Sequence, residues 1–309
     1  MVAAEAVRTV LLAHDSHLLR EIASFLPSVV DVNNLFCLSK SICFCSVKEK
    51  DARVAMLRLT LLRNLTRMLV PFGVSALEFV AALRADGASV SGGFALACVT
   101  GNNSRFGDID VFRHAEFLPR SATPALFLNI GYSLCNGNDN YPYSYGYAEV
   151  IGGNDVKLIV RTLEHIEFNQ SIQFITLIYR DEHLPSPYSE ITATSRHLAN
   201  FDLTPCCVNL SVSRESGNLQ WHISFLHDIS AGVLGPTPRL HAMASVQPNS
   251  ITCSTLRRIM KYARRGFCPT VELEVVILSA CTPDVVDYVR GIFEKAKQLS
   301  RCLPSFYVE

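Results

Sequence analysis

The chain has 309 residues and a mass of 34.2 kDa, of which 49% are hydrophobic and 18% are charged. This composition permits a sizeable buried core and excludes global disorder. The 28 basic residues balance the 28 acidic ones, and the pI is near 7.1, which excludes a polybasic nucleic-acid-binding protein. Attraction to polyphosphate would have to come from a local basic patch.

The apolar stretches do not resemble targeting segments. The longest one, residues 57–83, is interrupted by charges such as Arg63 and Arg67, so it lacks the roughly 18 uncharged residues of a membrane-spanning helix. Glu5 and Arg8 lie inside the N-terminal apolar run, unlike a signal peptide. We expect a soluble intracellular protein, cytoplasmic or nuclear.

The eleven cysteines are dispersed, and their number is odd. Cys43 and Cys45 are one residue apart, and Cys206 and Cys207 are adjacent, so neither pair has the C-x-x-C spacing of a zinc module. We predict reduced cysteines that mostly fill the core.

The predicted elements begin with helices over residues 16–69. Ser75 and Glu78 form a capping box that opens a further helix, and Gly87 ends it. Between residues 16–69 and this further helix, Pro71 and Gly73 interrupt the helical pattern. We therefore place a boundary here, between a small helical module (1–74) and a second domain (75–309).

After Gly87 the pattern changes to short strands that alternate with helices, which predicts an α+β fold. Strands are predicted at 88–91, 109–112, 147–151, 156–160, 208–212 and around Trp221, with 147–151 and 156–160 forming a hairpin. Helices are predicted at 94–99, 254–266 and 284–300.

The most informative pattern is a strand that ends in Ser91, Gly92 and Gly93, with a helix directly after it. Glycines allow the backbone to approach a phosphate closely, and a helix N-terminus offers free N–H groups. Asp108 and Asp110 follow on the next strand, where residues two apart face the same side. Two carboxylates beside a phosphate site form an arrangement that binds Mg²⁺ on a nucleoside triphosphate.

Residues 88–112 resemble the signature of the DNA polymerase β-like nucleotidyltransferase superfamily, although the spacer of fourteen residues after Gly93 is slightly long. The resemblance implies a nucleotidyltransferase-like mixed β-sheet with flanking helices. It also implies that the two glycines contact the triphosphate and that Asp108 and Asp110 coordinate catalytic metal. A third acid on a later strand often completes such a site. Read separately, the glycines could form a tight turn, and the two aspartates could lie on an exposed edge strand.

Asp202, just before the predicted strand 206–212, is the first choice for the third acid, making Asp108, Asp110 and Asp202 the predicted catalytic and metal-binding residues. Asp155 is the rival, but its position after two glycines and an asparagine is typical of a turn.

A basic cluster on the predicted helix 254–266 places Arg257, Lys261 and either Arg264 or Arg265 on one face. Arginine binds phosphate bidentately, so we add Arg257, Lys261 and Arg264 to Ser91, Gly92 and Gly93 as predicted nucleotide-binding residues. The alternative is the solvated face of an amphipathic helix.

Residues 15–45 resemble a degenerate F-box, with Ile22, Phe25 and Leu26 in an Ile-x-Ser-Phe-Leu-like step and Asp31 in the spacer. The usual leading Leu-Pro is absent. An F-box docks onto the adaptor of a cullin ubiquitin ligase. The alternative is a helical hairpin that packs on its own C-terminal domain.

Two functions follow. The first is Mg²⁺-dependent transfer of a nucleotidyl group from a nucleoside triphosphate to an RNA, protein or small-molecule hydroxyl, including the case of a toxin-like or virus-encoded enzyme. The second is a non-catalytic interaction protein that recruits a ubiquitin ligase through its F-box-like segment.

Overall fold

The computed structural model describes residues 26, 28, 31–32, 47–101, 108–113, 121–135, 142–143, 156–165, 167, 170–179, 198, 201–246 and 253–302.

The first continuous part is helical. Helix α1 (Val47–Leu69) leads through a 3₁₀ turn (Val70–Phe72) into α2 (Ala76–Asp86). The hydroxyl of Ser75 accepts a hydrogen bond from the Glu78 N–H at 3.2 Å, and Gly87 ends α2 with a φ of 57°. The capping box and the glycine stop predicted from the sequence are both confirmed.

The centre of the molecule is an eight-stranded mixed sheet. Its strands are β1 (Ser89–Ser91), β2 (Asp108–Arg113), β3 (Ser133–Leu134), β4 (Pro142–Tyr143), β5 (Val156–His165), β6 (Gln170–Tyr179), β7 (Val208–Val212) and β8 (Leu219–Ile223). The spatial order is β3–β5–β6–β2–β1–β7–β8, and β4 pairs with β5. Only the β2–β6 pair is parallel among these described strands.

Helices flank this sheet, which confirms the predicted α+β fold with a mixed sheet. They are α3 (Gly92–Thr100), α4 (Ala122–Leu128), α5 (Leu226–Ala231), α6 (Pro238–Val246), α7 (Cys253–Ala263), α8 (Val271–Ser279) and α9 (Val286–Cys302). A short parallel pair, β9 (Val233–Leu234) and β10 (Cys268–Pro269), lies beside them. The predicted basic helix and last helix correspond to α7 and α9.

The predicted hairpin is only partly within the described residues, because 147–151 lies outside them. Residues 156–160 begin β5, as expected for a strand. Strand β5 pairs antiparallel with β6 along its whole length, from Val156 to His165.

Alternation along β2 and its neighbours turns one face of the sheet, the apolar face, to the main core. The other, here called the polar face, carries Asp108 and Asp110 and, further along β2, a small apolar cluster of Phe112 and Ile175. Ile109, Val111, Val90 and Leu210 point to the apolar face, where each is at most 1% exposed. Helix α3 lies in the same core, and the ring of Phe94 meets the rings of two aromatic residues edge-on, Phe72 at 6.0 Å and Phe79 at 6.4 Å between centroids. A core helix therefore fixes the turn that connects it to β1.

This core continues across the boundary predicted at residues 70–75. Val32, fully buried, belongs to the same apolar cluster as α1, α2 and the sheet. The Ser28 hydroxyl donates to the carbonyl of Val99 at 3.3 Å, and Arg63 donates to the carbonyl of Leu26. Most of the F-box-like segment lies outside the described residues, but its described part packs on α1 and α3. The two-domain division stays a prediction.

Seven cysteines of the described ranges are free thiols. Cys98, Cys206 and Cys207 are buried as predicted, whereas Cys135, Cys268 and Cys281 are half-buried and Cys253 is exposed. In the same part of the chain, no single helix has the length and apolar content of a membrane span. Residues 54–72 and 76–86 have the length and apolar content of a span only when they are taken together, and the two helices are bent by 97° relative to each other.

Candidate functional site

The turn from β1 into α3 forms the floor of the site. Gly92 takes a φ of 75°, which only glycine adopts without strain, and residues 92–99 are buried. Ser91 is the N-cap of α3 but makes no side-chain capping bond, because its hydroxyl donates to Oδ1 of Asn209 at 2.8 Å. The first N–H groups of α3 are therefore not capped by the N-cap side chain, and the positive end of the helix favours an anion.

Charged side chains lie against both glycines, and Gly92 has in addition the positive φ that requires glycine. A Cβ atom at Gly92 would stand 2.7 Å from Oδ2 of Asp110, and one at Gly93 would stand 2.5 Å from Nη1 of Arg265. Both distances are below any normal carbon contact. The turn thus brings a carboxylate and a guanidinium to the N-terminus of α3.

Asp108 and Asp110 share the polar face of β2, as the sequence predicted, while Ile109 points into the core. Burial together with the neighbouring Asp108 carboxylate raises the pKa of Asp110 to about 7, and Lys261 and Arg265 partly oppose this rise. Two carboxylates this close repel each other when both are ionised, so the pair favours a proton or a cation.

Two basic side chains reach the carboxylate pair from α7 and the turn after it. Nζ of Lys261 lies 3.6 Å from Oδ1 of Asp108. Arg265, which is 6% exposed, packs its guanidinium over the Tyr262 ring at 5.4 Å and against Gly93. The Asp110 carboxylate lies at the same helix N-terminus, and Arg265 favours its ionised form. Arginine binds phosphate bidentately, so this guanidinium is also suited to a phosphate group.

Of the predicted basic residues, Lys261 is the one that the structure places beside the carboxylate pair, and the nucleotide-binding role of Arg257, Lys261 and Arg264 stays a prediction. Arg257 and Arg264 are exposed, whereas Arg265 is the buried arginine at the glycines. Helix α7 ends at Ala263, so Arg264 and Arg265 lie in the turn after it, and this turn places Arg265 against Gly93.

Asp202 is not brought to the carboxylate pair, so its predicted role as the third ligand needs correction. Its Oδ2 accepts hydrogen bonds from Nη2 of Arg258 at 2.5 Å and from the Thr255 hydroxyl at 2.8 Å, and the residue is 6% exposed. Pro205 lies within a 3₁₀ turn (Thr204–Cys206), which interrupts the alternation counted from β7. Within the described ranges, no three His, Cys, Asp or Glu side chains form a metal-binding group. The rival, Asp155, lies outside them.

A continuous row of polar residues crosses the sheet at Asp110. Paired residues on neighbouring strands share a face, and the row runs Thr162–Gln173–Asp110–Ser91–Asn209–His222. Asn209 is thus the residue of β7 on the row of Asp110, and it is 1% exposed. Sequence reasoning missed it; the signal was an amide between the buried Val208 and Leu210 of an otherwise apolar strand.

The carboxylate pair fits Mg²⁺ held jointly with a ligand. Mg²⁺ is typically bound by one or two protein carboxylates together with substrate phosphates and water, rather than by an all-protein cage. Asp108 and Asp110 supply two carboxylates, and the uncapped end of α3 lies beside them. A cation here would also relieve the repulsion that raises the pKa of Asp110.

No known protein family matches the chain, and no curated protein does. Among solved structures, the chain is similar to a CCA-adding enzyme in complex with CTP, with 16% identity, 75% of this chain and 50% of that chain covered, and a TM-score of 0.45. The apo form of a CCA-adding enzyme gives 14% identity, 75% and 49% coverage, and a TM-score of 0.44. The chain therefore spans about half the length of these structures.

Proposed function

We propose that the chain binds a nucleoside triphosphate together with Mg²⁺ at the β1–α3 turn, as a protein of nucleotidyltransferase type. The observation that supports this most strongly is the meeting of opposite charges at one helix N-terminus. The carboxylate of Asp110 lies against Gly92, and the guanidinium of Arg265 lies against Gly93. A ligand that carries both a cation and phosphates is complementary to both groups, with the cation at the carboxylate and a phosphate at the guanidinium.

Each group then has a defined role. The N–H groups at the start of α3, Arg265 and Lys261 would bind phosphate oxygens. Asp108 and Asp110 would hold Mg²⁺, which supplies charge neutralisation for the phosphates when bound. Formation of the Mg²⁺ site requires Asp110 to lose its proton, so ligand binding and proton release are linked.

The reaction that the resemblance implies is attack by an acceptor hydroxyl on the α-phosphorus. A bond would form between the acceptor oxygen and phosphorus, the bond to the bridging oxygen would break, and pyrophosphate would leave. The acceptor, whether RNA, protein or a small molecule, stays a prediction. So does the intracellular location.

The adaptor alternative stays a prediction as well. Leu26 and Val32 of the F-box-like segment pack on the domain itself, which favours the hairpin interpretation over a free docking surface. A pull-down with the ligase adaptor that was lost on substitution of Leu26 would support the alternative.

Isothermal titration with Mg-ATP and Mg-GTP tests the proposed function. We expect saturable heat with the natural sequence and none with the double variant Asp108→Asn/Asp110→Asn. Asp287→Asn is the matched control, because this carboxylate is 95% exposed on α9 and should leave binding unchanged. Equal heats from the natural chain and the double variant would contradict the proposal.

A further inference from the structure

Asn209 occupies a position at the candidate site that the roles above leave unused. It lies on β7 in the row Asp110–Ser91–Asn209, one strand beyond Ser91, and it shares the polar face of the sheet with both. The residue is buried, at 1% exposure. A polar group so deeply buried normally has its hydrogen bonds satisfied.

Only half of this amide is satisfied. Oδ1 accepts a hydrogen bond from the Ser91 hydroxyl at 2.8 Å. Nδ2 is buried and has no hydrogen-bond partner among the described residues. A buried donor without a partner destabilises the folded protein, and this one lies on the strand next to the glycine turn.

The fixed orientation of the amide gives the open donor a use. Because Ser91 holds Oδ1, the N–H groups of Nδ2 are the part of the side chain that remains available to a ligand. A donor attracts a ligand oxygen and repels a cation. The side chain is therefore suited to contact an anionic oxygen directly, and it is unsuited to hold a metal ion.

Resting on the proposed function, we propose that Nδ2 of Asn209 donates a hydrogen bond to an oxygen of the bound nucleotide, so that the site works with a single divalent cation, held by Asp108 and Asp110. This assigns Asn209 as a ligand-binding residue and Ser91 as the positioning residue that orients it. It also means that the natural site binds the nucleotide without recruiting a second cation.

Counting Mn²⁺ by electron paramagnetic resonance, in the presence of a non-hydrolysable ATP analogue, tests the inference. We expect one bound Mn²⁺ per chain for the natural sequence. Asn209→Asp places a carboxylate beside the pair and should bind a second Mn²⁺. Two ions in the natural chain, or one ion in both proteins, would overturn the inference.

The affinity for the nucleotide analogue provides the second readout. Asn209→Ala should weaken it about tenfold while the count of bound Mn²⁺ stays at one, since a hydrogen bond to a charged group is lost. Ser91→Ala is a milder variant that should weaken affinity by a smaller factor, and it keeps the test available if Asn209→Ala does not fold. Ser211→Ala, two residues along the same face of β7, is the matched control.

Unchanged affinity in both Asn209→Ala and Ser91→Ala would refute the contact. If the natural chain binds neither Mn²⁺ nor the analogue, the proposed function itself fails. If it binds one Mn²⁺ and the analogue, but Asn209 variants behave like the natural chain, only the role of Asn209 fails.

Discussion

Replacing Asp110 by asparagine should stabilise the metal-free protein, and the gain should grow with pH. Burial and the neighbouring Asp108 raise the pKa of Asp110 to about 7, from 3.8 in a solvated aspartate. The folded chain therefore holds this proton between pH 4 and 7 while the unfolded chain has released it. Stability falls as pH rises through this window, and the asparagine variant lacks that loss.

The size of the effect follows from the two pKa values. At 1.36 kcal/mol for each pKa unit, ionising Asp110 costs up to about 4 kcal/mol above pH 7. Between pH 5 and pH 8 the advantage of Asp110→Asn should grow by about 2–3 kcal/mol on the same basis. The magnitude is large enough to measure, since a domain is typically stable by about 5–15 kcal/mol.

Urea unfolding, followed by circular dichroism at pH 5 to 8 with a chelator and a reductant present, measures this difference. Asp287→Asn, which alters an exposed carboxylate, should give a pH profile parallel to that of the natural chain. If the pH profile of Asp110→Asn also runs parallel to that of the natural chain, then Asp110 is not buried beside Asp108, and the carboxylate pair does not repel as inferred.

Three further predictions follow from individual contacts. Gly92→Ala should destabilise the chain by about 1–3 kcal/mol, because a side chain at this φ is strained and meets Asp110. Gly291→Ala, at an exposed position of α9, is the control and should stabilise the chain slightly; thermal denaturation of both variants measures the difference. Arg258→Ala should cost about 3 kcal/mol in urea unfolding, because it leaves the buried Asp202 carboxylate without its charged partner, while nucleotide affinity stays unchanged. Arg290→Ala, at an exposed arginine of α9, is the control, and lost affinity in Arg258→Ala alone would contradict the assignment of Asp202 to structure. Val32→Ala should cost about 1–3 kcal/mol if the N-terminal segment belongs to the core, compared with less than about 0.5 kcal/mol for the exposed Val271→Ala.

Local signals in the sequence were sufficient for the elements that form the site. Ser75 marks the start of α2 and Gly87 its end through capping chemistry, which depends only on nearby residues. The two glycines and the alternation of Asp108, Ile109 and Asp110 define the turn and the face of β2 in the same way. These features are set by backbone conformation within a few residues, so they can be predicted without knowing the fold.

The errors concern contacts between distant segments. Asp202 precedes β7 in the chain, but its partner is Arg258, 56 residues away, and no local pattern encodes that pair. The turn that follows α7 places Arg265, and not Arg264, against Gly93. The row that joins Asn209 to Asp110 depends on the register of three strands. Strand register and helix docking are tertiary properties. This explains why the shared face of Asp108 and Asp110 could be predicted while the residues that lie beside them could not.

A crystal structure with Mn²⁺ and a non-hydrolysable nucleoside triphosphate analogue would show where the cation and the phosphates bind. We expect a single anomalous peak between the carboxylates of Asp108 and Asp110, with a phosphate of the analogue between the start of α3 and Arg265. An anomalous peak elsewhere on the chain, or an analogue bound away from Gly92 and Gly93, would contradict this expectation.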